Sequence, residues 1–226
     1  MDKIIIFGIG QTSEIVSSYI EESEQFEIIG YTIDSESELK EKKSFRNKDV
    51  YDFSNIEEIF NPNEYKMFIA IGYSDLNKLR EAKYHKAKEK GYHLVSFIHP
   101  KSGVTRSTAV GENSFIMENQ SIQPFSKIGN NCFIWGGVLI AHHSVIDDHC
   151  WITSEASIAG NTTIGKRCFI GINSTIGHMI NIGDDCFIGA GSLVTRDAKD
   201  GQVFIEKNTD VFKLNSEQFL KITKMK

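Results

Sequence analysis

The sequence predicts an α/β domain followed by a parallel β-helix and a short C-terminal helix. Three observations carry this. From Val104 to Val194 an aliphatic residue stands at every sixth position: Val104, Val110, Ile at each step from Ile116 to Ile188, then Val194, sixteen in all. Neither a 3.6-residue helix nor an alternating strand has that period. A hexapeptide period gives short strands stacked coil on coil, each covering the apolar face of the next. A second period is nested in the first: Cys132, Cys150, Cys168 and Cys186 lie 18 apart, as do Phe133, Trp151, Phe169 and Phe187. Three hexapeptides therefore make one coil, residues 18 apart sit one above another, and each coil adds about 4.8 Å of height. Finally, the first 98 residues alternate buried-strand runs with helical stretches, the pattern of an open α/β sheet.

The elements follow in order. Ile4-Ile5-Ile6-Phe7 reads as a strand of a parallel sheet and feeds Gly8-Ile9-Gly10-Gln11-Thr12-Ser13. A helix is expected from about Ser13 to Glu22, with Ile15, Val16 and Tyr19 on one face, and a second strand from Phe26 to Thr32 that ends near Asp34. Glu38 to Asp49 is polar and reads as a loop or short helix; Val50 to Phe53 as a short strand; Met67 to Gly72 as another strand. Ser74 caps a helix that runs to Gly91, a favourable residue just past a helix end, and His93 to Ile98 is the next strand. The expected domains are 1–98, 99–205 and 206–226. In the β-helix the fourth position after each aliphatic is mostly small (Ser126, Cys132, Ser144, Cys150, Ala156, Thr162, Cys168), which suits a narrow triangular interior. Past Val194 the period stops; Val203 to Ile205 reads as a last strand, and Leu214 to Ile222 as a helix packed on the end or side of the β-helix.

Composition narrows the function. A net charge of −5 leaves no basic footprint for nucleic acid, and no run of about 18 apolar residues exists to span a membrane. MDKIIIFG enters a strand directly, with no basic n-region before an apolar core, so no secretory signal is read and the expected compartment is the cytoplasm. The four cysteines form a column where zinc would need ligands converging on a point. They read as small inward-facing residues.

Two groups of residues point to chemistry. The Gly8–Ser13 loop follows a first strand and opens a helix, where a doubly wound sheet binds phosphate. Gly8, Gly10, Gln11, Thr12 and Ser13 are its candidate ligands, and Asp34, at the end of the second strand, stands where a ribose-binding acid lies in dinucleotide folds. Fewer than 100 residues precede the β-helix, too little for a full dinucleotide sheet. The second group is His142, His143 and His149. His142 and His143 hold the third and fourth positions of their hexapeptide, which point outward, and Gly160 and then His178 stack above His142. A histidine beside a cleft suits a general base.

The repeats Ile164-Gly165, Ile170-Gly171, Ile182-Gly183 and Ile188-Gly189, with Ser144 to Ile146, Ala159-Gly160-Asn161 and Cys168 to Ser174, resemble the NeuD/PglD-like family of bacterial sugar acetyltransferases. That resemblance implies a left-handed β-helix, a Rossmann-like domain that binds a nucleotide sugar, and acetyl-CoA bound between subunits of a homotrimer. It implies that His142 takes the proton from the attacking amine or hydroxyl and that the Gly160 backbone N–H faces the thioester oxygen. Trp151, Gly160, Ile172, Ala190 and Lys166 are the implied acetyl-CoA contacts, and no metal is expected. The sequence departs from the family in three places. His143 stands where an acid usually follows the base, leaving Asp147, Asp148 or a backbone carbonyl as orienting acceptors. Trp151 replaces a family histidine, and Glu206 to Thr209 replaces a Gly-x-Pro-Ala ending.

The expected function is acetylation of a nucleotide-linked sugar (dTDP-, UDP- or GDP-linked) for surface polysaccharide, with N-acetylation of a 4-amino-4,6-dideoxyhexose preferred and O-acetylation the alternative. Two further readings differ in class. A γ-carbonic-anhydrase-like zinc site would need three histidines, and His142 and His178 have a suitable separation but Gly183 stands at the third place. A non-catalytic nucleotide-binding module would keep the β-helix without a working base.

Overall fold

The structure, a computed structural model, describes residues 1–34 and 43–223. Part of the polar stretch expected as a loop or short helix, residues 38–42, lies outside them.

The N-terminal domain is a five-stranded sheet. Its strands are β1 (Asp2–Phe7), β2 (Phe26–Ile33), β3 (Ser44–Phe45), β4 (Lys48–Asp52) and β5 (Lys66–Ile69), in the order β3-β4-β2-β1-β5. Every pairing is parallel except the β3–β4 hairpin, whose turn residues Arg46 and Asn47 both take left-handed backbone. Ile4, Ile5 and Ile6 are completely buried because helices and the β-helix cover both faces of β1. Helix α1 (Gln11–Ser23) begins two residues earlier than expected, so Gln11, Thr12 and Ser13 form its first turn.

Two other boundaries move. The helix expected from Ser74 is α3 (Lys78–Glu89), the short α2 being Ile56–Ile59. The residues before α3, Asp75, Leu76 and Asn77, all adopt positive φ (50°, 47° and 68°), a left-handed turn that a right-handed helix cannot include. His93–Ile98 is not a strand of this sheet. Leu94 makes one bridge to Met67, and Phe97–Ile98 instead pairs with Phe115–Ile116 as the first rung of the β-helix. Tertiary pairing overrode the local apolar run.

The β-helix has three faces. The first stacks Phe97–Ile98, Phe115–Ile116, Phe133–Ile134, Trp151–Ile152, Phe169–Ile170, Phe187–Ile188 and Val203–Phe204. The second runs from Ser121–Ile122 through Leu139–Ile140 and Ser157–Ile158 to Leu193–Val194, and the third from Ala109–Val110 through Val145–Ile146 to Asn181–Ile182. Every rung within a face from Ala109 to Val194 pairs in parallel at a spacing of 18, as Ile134 with Ile152 and Ile140 with Ile158. The isoleucines from Ile116 to Ile188 fill the interior, each burial being worth about 1.5–3 kcal/mol. At each corner one residue turns the chain with positive φ, every sixth position from Asn113 to Gly191. Five of these are asparagine (113, 119, 131, 161 and 173), a residue that tolerates this backbone well.

The small interior positions have a second use. Cys132, Cys150, Cys168 and Cys186 are buried free thiols, and each donates to a corner carbonyl of the coil above, Asp147, Gly165, Gly183 and Lys199, at 3.0–3.2 Å. Ser114, Ser144 and Thr162 do the same with their hydroxyls. The position therefore selects a small side chain that can also satisfy a corner carbonyl.

The outward side chains of the first face form an aromatic ladder, with Phe133 over Trp151 at 4.8 Å and 13° and Phe169 over Phe187 at 4.7 Å and 5°. Its lower rungs, Phe97 to Trp151, share one core with Ile6, Val16, Ile20 and Phe68, and so fasten the two domains together. The C-terminal helix, α4 (Ser216–Thr223), is present, but all of its residues are exposed. The expected packing against the β-helix does not occur within this chain. No helix among the described residues is long and apolar enough to cross a membrane.

Candidate active site

The sequence-predicted residues fall into separate places. His142, His143 and Gly160 come together at the corner between the second and third faces. Ile172 and Ala190 sit together at the corner between the first and second. Lys166 lies at the remaining corner, apart from both, with its backbone N–H capped by Asp184 Oδ1 at 2.8 Å. Trp151 is on the first face and nearly fully buried under Phe133, Tyr73 and the guanidinium of Arg80. It is a domain-seam residue, and the expectation that it touches acetyl-CoA is withdrawn: its ring faces are already covered.

At the first of these corners His142 is exposed, and its backbone N–H donates to Gln123 Oε1 at 3.1 Å. Gly160 is stacked directly above. A Cβ placed on Gly160 would meet His142 Cε1 and Nε2 at 3.0 Å, so only glycine leaves that ring its place. Among the described residues the Gly160 N–H has no acceptor, while its carbonyl takes the Met179 N–H. An unused N–H one coil above an exposed imidazole can receive a developing oxyanion. His143, with positive φ (60°), turns its ring back so that its Nδ1 lies 3.1 Å from His142 Nδ1, and packs at a tilt against Phe125, 5.0 Å between centroids. Of the other orienting acceptors considered, Asp148 caps the Asn130 N–H at the third-to-first corner.

Ile172 and Ala190 line an apolar groove of about 530 Å³ with Trp135, Phe169, Phe187 and Ile205. Sequence reasoning missed Trp135 and the half-buried upper rungs of the ladder, Phe169 and Phe187, as groove walls. For Phe169 and Phe187 the 18-residue spacing was the available signal; Trp135 stands outside that column.

At the N-terminal site the first turn of α1 is uncapped by any side chain: Gly10 is the N-cap residue, and the Ser13 Oγ is buried without a partner. Gly8 is required, since its φ is +116° and a Cβ there would lie 2.8 Å from the Ala70 carbonyl oxygen. Gly10 has nothing within 4 Å of where a Cβ would be, so the approach to the helix start is open. Three first-turn N–H groups (Gln11, Thr12 and Ser13) lack acceptors among the described residues, the arrangement that suits an anion. Asp34 is exposed at the end of β2 but bonded to Lys83, whose ammonium also lies 5.8 Å from the Phe7 ring centroid.

One cluster resembles a metal site. Glu81, His85 and His149 bring ligand atoms within 4.8 Å of one another. The hydrogen bonds decide against it. The Ile69 N–H donates to Asn113 Oδ1 (2.7 Å), so the Asn113 amide donates to Asn131 Oδ1 (2.8 Å) and the Asn131 amide to His149 Nδ1 (2.8 Å). His149 therefore carries its proton on Nε2, aimed at Glu81 Oε1 at 3.5 Å, and that oxygen is shared with Arg167. A nitrogen holding a proton is no ligand. Burial pushes the His149 pKa down to about 4, which keeps the ring neutral.

Residues 3–87 match the PglD N-terminal domain, residues 107–142 the bacterial transferase hexapeptide (six repeats), and residues 161–196 the hexapeptide repeat of succinyl-transferase. The chain thus carries a PglD-type N-terminal domain followed by hexapeptide repeats of the bacterial transferase type. Among solved structures, a point mutant of perosamine N-acetyltransferase from Caulobacter crescentus in complex with CoA and GDP-perosamine is 24% identical, with a TM-score of 0.80 over 90% of this chain and 93% of that one. The acetyltransferase domain of PglB from Neisseria gonorrhoeae is 21% identical, with a TM-score of 0.78 over 90% and 96%. WeeI from Acinetobacter baumannii is 18% identical, with a TM-score of 0.55 over 90% and 96%. Such identities establish a shared fold. No curated protein sequence matches the chain.

Proposed function

We propose that the protein transfers the acetyl group of acetyl-CoA to the amine of a nucleotide-linked 4-amino-4,6-dideoxyhexose. The observation that carries this is the stacking of Gly160, with its unused N–H, on the exposed ring of His142. The amine nitrogen attacks the thioester carbonyl carbon while His142 Nε2 takes its proton. Negative charge collects on the carbonyl oxygen, toward which the Gly160 N–H is free to point. The intermediate collapses with CoA leaving as the thiol. The start of α1, with Gly10 as its N-cap, receives the nucleotide diphosphate, and the buried Ser13 hydroxyl supplies a further donor to it.

The acetyl donor lies along the apolar Ile172–Ala190 corner, which is a different edge of the prism from the base. We infer that a homotrimer completes the site, the base corner of one copy facing the donor corner of the next. In solved structures of similar fold, the Caulobacter crescentus enzyme is bound to CoA and GDP-perosamine and the Neisseria gonorrhoeae PglB domain to acetyl coenzyme A, which supports both ligand classes. Cytoplasmic placement and a role in surface polysaccharide belong to the same proposal.

The test is thiol release from acetyl-CoA in the presence of GDP-, UDP- and dTDP-linked 4-amino sugars and their 4-hydroxy counterparts. His142→Asn should lower turnover by roughly 10²–10⁴-fold, the usual worth of a general base. Turnover that survives this change removes the mechanism; preference for the hydroxy sugars turns the reading to O-acetylation.

A further inference from the structure

Arg80 is completely buried, yet no carboxylate among the described residues pairs with it. A buried guanidinium without a counter-charge is costly, and burial lowers its pKa to about 10. Its N–H groups go instead to two sets of acceptors. On one side are the Gly72 carbonyl (3.1 Å) and Asn77 Oδ1 (2.8 Å), both in the loop after β5. On the other are the carbonyls of Asn131, His149 and Cys150 on two successive coils of the β-helix, the nearest at 2.9 Å. The planar group is also held against Phe133 and Trp151, at 5.0 and 5.2 Å from their centroids. One rigid fork thus joins a loop of the first domain to the wall of the second.

That loop lies between the two subsites proposed above. A Cβ on Gly72 would stand 3.3 Å from Thr12 Oγ1, in the first turn of α1. The next residue, Tyr73, packs on Phe169 at 4.8 Å, and Phe169 lines the groove that holds Ile172 and Ala190. The loop is also strained: Asp75, Leu76 and Asn77 are all left-handed, a conformation that persists only where its surroundings over-determine it. The Asn77 amide, which donates to the Arg167 carbonyl at 2.9 Å, and Arg80 are what hold it.

We propose that Arg80 is a positioning residue that sets the phosphate-binding start of α1 against the acetyl-donor groove by clamping the Gly72–Asn77 loop to the β-helix. This rests on the proposed nucleotide-sugar reading for its kinetic arm but not for its structural arm. An apolar residue would fill the same space without a desolvated charge, whereas only a fork of fixed geometry sets the spacing between carbonyls of two domains. Lysine keeps the charge but presents one point of attachment, so it cannot hold both sides.

The experiment compares the full-length wild type with Arg80→Lys and Arg80→Met, by steady-state kinetics against each substrate and by amide hydrogen exchange. In Arg80→Lys the KM for the nucleotide amino sugar should rise at least tenfold, with the KM for acetyl-CoA within twofold of wild type. The hydrogen-bonded amides at the two clamped segments, those of Glu14, Asn77 and Lys78, should exchange at least tenfold faster in either variant, while those of residues 115–194 keep their protection. Unchanged nucleotide-sugar KM in a folded Arg80→Lys, or equal loss of protection along the whole β-helix, overturns the proposal. If Arg80→Met does not fold, Arg80→Lys decides. If the wild type transfers no acetyl group to any sugar tested, the functional reading fails, and the exchange pattern alone decides whether Arg80 clamps the loop.

Discussion

Replacing Gly160 by alanine tests the active-site geometry with one methyl group. Gly160 does not occupy the left-handed backbone region, so alanine brings no backbone strain there. The methyl carbon would sit 3.0 Å from Cε1 and Nε2 of His142, where ordinary contact begins at 3.4 Å, so the ring must retreat by about 0.4 Å or more (3.4 − 3.0). The exposed ring can retreat cheaply, but Gly160 is itself buried and the same methyl carbon lies 3.2 Å from the His142 carbonyl oxygen, which accepts the Asn161 N–H, so the change should cost about 0.5–1 kcal/mol. For a chain of this length that is roughly 1–4 °C in melting temperature. The chemistry is less tolerant, since a displacement of about 1 Å can cost on the order of 10²-fold in rate. Gly160→Ala should therefore lower kcat by roughly 10–100-fold while melting falls by only a few degrees. The assay is thiol release from acetyl-CoA at saturating nucleotide sugar. A kcat within twofold of wild type, in a protein that melts normally, would falsify the placement of the reacting imidazole beneath residue 160.

Other outcomes follow from the same structure. Gly10→Ala, whose methyl enters open space at the start of α1, should raise the KM for nucleotide sugar with little change in stability, checked by kinetics and thermal melting. Gly8→Ala should instead destabilise by at least about 2 kcal/mol, because it combines a left-handed strain with a Cβ 2.8 Å from the Ala70 carbonyl oxygen; urea unfolding reads this. All four cysteines are fully buried, so a thiol reagent should modify none in the native protein and four in denaturant. For His149 the folded pKa, about 4, lies below the unfolded value of 6.5. Its neutral form is the one the fold keeps, so its contribution is whole above pH 6.5 and lost as pH falls toward 4, on the order of 3 kcal/mol across that window. His149→Asn, which suits the left-handed backbone at that position, should flatten this part of the pH–stability curve; an unchanged slope means that other groups produce it.

Much of the β-helix was legible in the sequence because its restraint is strictly periodic. An inward isoleucine every six residues has only one arrangement that buries all of them, and the 18-residue columns then say which residue lies over which. That is why the stacking of Gly160 on His142 was accessible from spacing alone, and why the structure reproduces it. The N-terminal boundaries moved because their causes are not periodic. Nothing in Ser74 to Asn77 announces three left-handed residues in a row. Their conformation is held by Arg80 and by carbonyls 50 to 90 positions away in the chain. His93–Ile98 likewise has the composition of a sheet strand, but its last two residues are recruited by Phe115–Ile116.

Trp151 shows most clearly where column arithmetic stops. Spacing placed it correctly on an outward position of the first face, and an outward position on a solenoid normally meets solvent or a ligand. Here the face is occupied by the protein's own first domain, through the same ring column that defines the repeat. Which outward column meets a ligand is set by what docks on each side of the prism. The first side meets α1, β1 and β5 over its lower rungs, and only Phe169 and Phe187 above them stay half-open. Two of the edges that stay open carry His142 with Gly160 and Ile172 with Ala190. They are different edges of one prism, so under the proposed function one copy would supply the base and the next the donor groove. Sedimentation should accordingly find a trimer, and a monomer that turns over at the full rate would break that link.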